Sequence, residues 1–270
     1  MIKLFVTDLD GTLLSKGNVI IEEDKQAIET LVDHGVEFSV ATGRMDRDIQ
    51  EILKSLSQTG HRVSQNGGFV YDKHDNLIHA QTFHGDLSKR LHEAIKDHSH
   101  LYCVTTADEA YVSEKTGVIK DMEHLLYFPL KEGVDFIEEY GKSIYPSKFM
   151  ILGETDAIVK TQEKLSKHFS SETESYLSDA HCVDIVPKGI SKAIGLDYLI
   201  KALDISSEEI AVIGDSFNDV PMLEMTPHSY AMETAHDDVK GTASKVVHHV
   251  HEAIQDLKQQ GLIQGSVYGC

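Results

Sequence analysis

Apolar positions along this chain fall into short runs and helical repeats whose spacing predicts the elements. Leu4-Phe5-Val6 is a compact run of strand length, and from about Glu22 onward Ala27, Ile28, Leu31 and Val32 recur at helical spacing. Gly35 stands where a helix C-cap belongs, and residues 36–41 read as a second strand. A further helix follows Thr42-Gly43-Arg44 and carries Ile49, Ile52, Leu53 and Leu56. Val63-Ser64 and Phe69-Val70-Tyr71 then flank the turn Asn66-Gly67-Gly68. This strand–helix alternation predicts an α/β fold with a parallel, doubly wound, Rossmann-like sheet.

The texture changes between about Thr82 and Ile185. Helical segments holding Leu87, Leu91, Ala94 and Ile95, and later Ile158 and Leu165, alternate with short strands at 102–105, 111–112, 149–152 and 182–186. Strands paired around single helices predict an α+β unit with an antiparallel sheet. The first rhythm returns after Pro187, with a helix over 191–203 and strands at 210–213 and 245–247. The economical division is a split core, residues 1–83 and 186–270, interrupted by an inserted unit, residues 84–185. A chain of 270 residues is comfortable as two domains.

Charge narrows the partners. The net charge of −19 argues against a nucleic-acid or anionic-membrane surface, and an anionic substrate would be repelled at long range. No apolar run approaches membrane-spanning length, and the N-terminal stretch, broken by Asp8, does not read as a signal peptide. Cys103, Cys182 and Cys270 have no metal-type spacing, so free thiols in a reducing cytoplasm are expected.

Candidate chemistry sits at strand ends. Asp8-Leu9-Asp10-Gly11-Thr12 closes the first apolar run, and Gly214-Asp215-Ser216-Phe217-Asn218-Asp219 closes the run that begins at Ile210. Open α/β sheets hold their ligands at such strand ends. Asp8 and Asp10 are two apart, so on an extended strand end both side chains point the same way, and Gly11 permits a sharp exit. Asp215 and Asp219, four apart, share a face if a helix begins at Ser216. Carboxylates converging there would repel unless a cation joined them, and hard oxygen ligands suit Mg²⁺. Thr42 and Gly43 offer a hydroxyl and an approachable backbone for phosphate. Lys192 falls in the first turn of a helix, where the macrodipole disfavours a cation unless an anion sits in front of it, and Lys188 could add to that field. Taken singly, each of these motifs also serves as an ordinary turn or helix cap.

Taken together, the motifs resemble those of the haloacid dehalogenase superfamily of phosphatases, in its Cof-type branch (subclass IIB). The residues that carry the resemblance are Asp8-Leu9-Asp10-Gly11-Thr12, Ala41-Thr42-Gly43-Arg44, Lys188-Gly189-Ile190-Ser191-Lys192, Gly214-Asp215-Ser216-Phe217-Asn218-Asp219 and the Asn66-Gly67 turn. The long interval between Thr42 and Lys192 leaves room for a cap domain where that branch carries it. Met232-Glu233-Thr234-Ala235 departs from the Met-Gly-Asn-Ala turn often found there, and 247–252 lacks the usual acidic loop.

The resemblance implies a Mg²⁺-dependent phosphatase of small phosphorylated metabolites, such as sugar phosphates or flavin- and pyridoxal-type phosphates. Asp8 would be the nucleophile of an aspartyl-phosphate intermediate. Asp10 would protonate the leaving oxygen and later take a proton from water, a role that crowding by neighbouring carboxylates would favour. Asp8, the main-chain carbonyl of Asp10 and Asp215 would hold the metal. Thr42 and Lys192 would hold phosphoryl oxygens, with Asp219 orienting Lys192 and Asn218 fixing the same loop. The inserted unit would act as the cap, with Gly85 and Pro187 as hinges, and of its residues His84, Arg90, Lys148 and His181 are expected to point mostly to solvent. The alternatives are a phosphotransferase or phosphomutase and a catalytically silent phospho-ligand-binding protein. A cytoplasmic monomer or weak homodimer, without nucleic acid or membrane, is expected.

Overall fold

A computed structural model of the chain describes residues 1–15, 17–96, 98, 101–123, 127–132 and 136–263, so Cys270 lies outside the described residues. Strand β1 (Leu4–Thr7) is buried at all four positions. It is followed by α1 (Glu22–Asp33), β2 (Glu37–Ala41), α2 (Asp46–Ser55), β3 (His61–Ser64), β4 (Phe69–Tyr71) and β5 (Leu77–Ala80). The chain then builds α3 (Gly85–Lys96), β6 (Leu101–Thr105), β7 (Ala110–Val112), α4 (Gly117–Glu123), β8 (Lys131–Glu132), β9 (Lys148–Leu152), α5 (Thr155–His168), β10 (Thr173–Asp179) and β11 (Cys182–Pro187). It closes with α6 (Lys192–Ala202), β12 (Ile210–Gly214), α7 (Val220–Leu223), β13 (Ser229–Met232), α8 (Asp237–Lys240), β14 (Lys245–Val247) and α9 (Val250–Gln259).

Two sheets result. The larger has the order β14-β13-β12-β1-β2-β3-β4-β5, and the smaller β10-β11-β9-β6-β7-β8. In the larger sheet the strands from β14 to β3 are parallel, as the doubly wound pattern requires, while β4 and β5 add an antiparallel edge. Both faces are covered because successive strand residues point opposite ways. Phe5, Phe38 and Ile213 pack with Ile28 and Leu31 of α1, Ile49 of α2 and Ile254 of α9. Leu4, Val6 and Val212 pack with Leu196 and Leu199 of α6 and Met222 of α7 on the other face. The chain order reverses at β1, with β2 on one side and β12 on the other, so a crevice opens above its C-terminal end.

The smaller sheet lies within the segment expected to be inserted, and β11 runs two residues past its 185 boundary. It is antiparallel except for β7 against β8. Tyr102, Val104, Phe149, Ile151, Val183 and Ile185 form its helix-covered face, packed on Leu91 of α3 and on Ile158 and Leu165 of α5. Gly85, expected to hinge, is instead wedged against Gly141. A Cβ there would come within 2.9 Å of the Tyr140 carbonyl oxygen, so the glycine serves close packing.

Candidate active site

The crevice above β1 gathers most of the sequence-predicted residues. The carboxylate oxygens of Asp8, Asp215 and Asp219 lie within 4.8 Å of one another. Asp8 stands one residue past β1, Thr42 one past β2 and Asp215 one past β12, so three adjacent strand ends deliver them. Lys192 is the first residue of α6, whose N-cap Ser191 accepts a hydrogen bond from the Ile194 N–H. Its Nζ lies 2.8 Å from Asp8 Oδ1 and 2.6 Å from Asp219 Oδ1, and the residue is 1% exposed. The anions that offset a cation at this helix end are thus the protein's own carboxylates.

Asp219 does more than pair. Its Oδ2 accepts the backbone N–H groups of Asp215 and Ser216, each at 2.9 Å, and so closes the loop after β12. That loop is a turn, and helix α7 begins only at Val220, with Pro221 in its first turn. The expected helix start at Ser216 is therefore displaced, because the Asp219 carboxylate folds back on the backbone.

Asp10 departs from expectation. Strand β1 stops at Thr7, and the chain then turns tightly, the Leu14 N–H donating to the Leu9 carbonyl at 2.7 Å. Spacing by two therefore does not keep Asp8 and Asp10 together. The Asp10 side chain is 58% exposed and accepts Arg44 Nε at 2.8 Å and Nη2 at 2.5 Å. Crowding falls instead on Asp8, Asp215 and Asp219. Gly11 has φ +81°, and a Cβ there would collide with the Asp215 carboxylate, which also receives the Thr12 hydroxyl at 2.7 Å. Gly11→Ala is expected to lower phosphatase kcat/KM at least tenfold and stability by about 1–3 kcal/mol. Phosphate-release kinetics and a melting curve check both.

Burial raises the carboxyls. Desolvation, reinforced by Asp219, pushes Asp8 well above its ordinary range despite the Lys192 ammonium, and lifts Asp215 to about 6. For Lys192, burial alone would lower the value, but Asp219 and Asp8 raise it, so it stays an ammonium. Hard, mutually repelling carboxylate oxygens at this separation fit a divalent cation such as Mg²⁺. The sign of the linkage follows. A carboxyl whose folded pKa is raised stabilises the native state at low pH, and that stability is lost as pH rises through the folded value, here between about 3.8 and 6 for Asp215. A cation replaces the missing proton. Mg²⁺ is expected to raise Tm more at pH 7.5 than at pH 5, read by thermal unfolding; an equal gain at both would detach the cation from these carboxylates.

Other residues fall elsewhere. Lys188 pairs with Glu174 at 2.8 Å and borders a separate surface hollow together with His84 and Arg90, so it adds nothing to the carboxylate cluster. Asn218 Nδ2 donates to Asn66 Oδ1 at 3.1 Å, which ties its loop to the β3–β4 turn. Asn66 Nδ2 in turn donates to Asp184 of β11 at 2.7 Å. Lys148, expected to face solvent, is buried: its Nζ donates to the Gly43 carbonyl at 2.7 Å and pairs with Asp184 at 3.2 Å. His181 stays exposed at the cavity rim. Gln65 escaped the sequence reading, and its Oε1 accepts the hydroxyls of Thr105 at 2.7 Å and Ser147 at 2.5 Å across the two sheets. Its position beside the Asn-Gly turn was the only signal. The cavity between the sheets measures about 720 Å³, opens to solvent, and has Asp8, Thr42 and Lys192 in its lining.

A family model for haloacid dehalogenase-like hydrolases matches residues 5–255. The chain belongs to that family. It is similar to the 5-amino-6-(5-phospho-D-ribitylamino)uracil phosphatase of Bacillus subtilis, 27% identical over 245 residues, with 91% of this chain and 89% of the relative covered. The HMP-PP phosphatase of Serratia proteamaculans is 28% identical over 247 residues, covering 89% of this chain and 87% of the relative. A haloacid dehalogenase-like hydrolase from B. subtilis of known structure superposes with a TM-score of 0.87 at 24% identity, covering 95% of this chain and 100% of that one, and so shares the fold. The resemblance to the haloacid dehalogenase family thus holds, the chain is a hydrolase of that family, and both relatives are named phosphatases. Among the described residues no helix is long and apolar enough to cross a membrane.

Proposed function

We propose that this haloacid dehalogenase-like hydrolase is a Mg²⁺-dependent, cytoplasmic phosphatase that works through an aspartyl-phosphate on Asp8. The observation that carries the proposal is the buried Asp8 carboxylate, 2.8 Å from Lys192 Nζ and beside Asp215, in the lining of the cavity between the two sheets. Asp8 and Asp215, with the main-chain carbonyl of Asp10, would hold the metal, which when bound neutralises charge on the transferring phosphoryl group. Asp8 attacks phosphorus in line, and the bond to the leaving oxygen breaks as Asp10 supplies its proton. Water then attacks the aspartyl-phosphate, Asp10 takes the water's proton, and the Asp8 carboxylate is regenerated. Lys192, held by Asp219, and the Thr42 hydroxyl with the Gly43 backbone receive the phosphoryl oxygens. Arg44 pairs with Asp10 in the cavity lining, and the proton-donor role requires the Asp10 carboxyl to turn from Arg44 toward the leaving group.

Residues 1–83 and 186–270 act as the catalytic core and 84–185 as a cap that excludes water. Polar bonds from Lys148 and Asp184 to Gly43 and Asn66 support the closed arrangement. The substrate is a small phosphorylated metabolite, and relatives named for a ribitylaminouracil phosphate and for HMP-PP support ring-bearing compounds among the candidates. Phosphate release across a panel of phosphorylated metabolites with Mg²⁺ tests the reading. Turnover that disappears in Asp8→Asn is expected; silence of the folded, metal-loaded protein overturns it.

A further inference from the structure

The other face of the smaller sheet, packed in part against Ile119 of α4 and Leu130, forms the roof of the cavity, and its residues are set by strand alternation. Leu101, Cys103 and Thr105 on β6, and Lys148, Met150 and Leu152 on β9, share that face. Register arranges them in rows. Thr105 lies opposite Lys148, Cys103 opposite Met150, and Leu101 opposite Leu152, with Asp184 beside Met150 and Cys182 beside Leu152. Thr105 and Lys148 touch the core at Gln65 and Gly43, so their row lies nearest the carboxylates. Each further row stands about 7 Å farther from the carboxylates, at roughly 3.3 Å per strand residue, and the last borders the rim where His181 is exposed.

Polarity falls away along the roof and returns at the rim, where Glu154, Ser178, Asp179 and His181 border the cavity. After the Lys148–Asp184 pair, the roof offers Met150 and Cys103, then Leu101, Leu152 and Cys182, with Phe128 and Leu130 beside them. Burial pushes the Cys103 thiol up to about 12 and that of Cys182 higher still, so both remain S–H and act as small apolar groups. Of the charged residues bordering this half, Arg47 and Asp48 are partly engaged, although the buried Arg47 Nε has no hydrogen-bond partner among the described residues. The Arg47 guanidinium lies 4.4 Å over the Phe128 ring, and Asp48 accepts the Tyr127 N–H at 3.3 Å.

We infer that the alcohol released by this enzyme carries an apolar ring, seated against Leu101, Met150, Leu152 and Phe128, and is not a polyhydroxylated sugar. The inference rests on the phosphatase reading and deepens it. Hydroxyl groups of a sugar would find no partner in Leu101, Met150, Leu152 and Phe128, whereas a ring would bury its surface against them. Lys148 and Asp184 are left as the polar station between ring and phosphate.

The test compares primary-alcohol esters of matched reactivity. The kcat/KM for 2-naphthylmethyl phosphate is expected to exceed that for ribose 5-phosphate and glucose 6-phosphate by at least about tenfold, mainly through KM. Met150→Gln and Leu101→Gln, both at half-buried positions, should each cut that preference about tenfold in protein that melts normally. Because the chain has no tryptophan, naphthalene emission also reports binding directly to the inactive Asp8→Asn protein, and the same two variants should weaken that binding. Sugar esters turned over as well as the naphthylmethyl ester, or a preference unmoved by both variants, would overturn the inference while acetyl phosphate hydrolysis upholds the phosphatase. Loss of acetyl phosphate hydrolysis as well, in folded wild-type protein with Mg²⁺, would overturn the phosphatase reading itself and the inference with it.

Discussion

Phosphate release by Asp8→Asn is expected to fall by a factor on the order of 10⁴–10⁶, the range seen when a nucleophile or its partner is removed, while the protein melts at or above the wild-type temperature. The two outcomes have one physical origin. An amide cannot attack phosphorus, yet it fills the same volume and its oxygen can still accept from Lys192. In the metal-free protein the Asp8 carboxyl is raised by burial and by Asp219, so ionising it at neutral pH works against folding. Removing that charge relieves the strain. Undiminished turnover would remove Asp8 as nucleophile, and a steep fall in Tm would show that the loss of activity is a loss of fold.

Lys192→Ala carries the second large effect, and here stability and catalysis fall together. Lys192 is 1% exposed and is the cation between Asp8 and Asp219. Deleting one partner of a buried ion-pair network leaves the remaining charge uncompensated, at about 3–5 kcal/mol. Loss of a positive donor to the transferring phosphoryl group removes about 2.7–4 kcal/mol of transition-state stabilisation, by analogy with an oxyanion donor. Urea unfolding and phosphate-release kinetics separate the two, and Lys192→Arg restores charge without the geometry. An alanine variant with native stability would place the ammonium outside the network; one with native kcat would take it out of the chemistry.

How much of this was legible follows from which contacts are local. Asp8, Thr42 and Asp215 sit one residue beyond apolar runs, so the strand pattern alone brings them to one edge. Lys192 could be singled out because a cation at a helix start needs an anion, and the anions proved to be Asp8 and Asp219. Asp10 misled because strand spacing was extended past Thr7, where the backbone already turns. Strands β5 and β10 lie at sheet edges, with mostly half-exposed or exposed residues, and so lack the apolar run that reveals a central strand. The links from Asn66 to Asp184 and from Gln65 to Thr105 span 118 and 40 residues, and no periodicity encodes a polar contact between two sheets.

The alternation along β6 and β9 has an evolutionary consequence. Tyr102, Val104, Phe149 and Ile151 hold the unit together from one side, while their immediate neighbours Leu101, Cys103, Met150 and Leu152 look into the cavity from the other. Neighbouring codons therefore answer to separate pressures. A lineage can redraw the cavity wall at the half-buried Leu101 and Met150 with little disturbance to the scaffold, whereas Cys103 and Leu152 also pack with Ile119 and Leu130. New specificities are thus reachable by single steps at the first pair without passing through an unfolded protein.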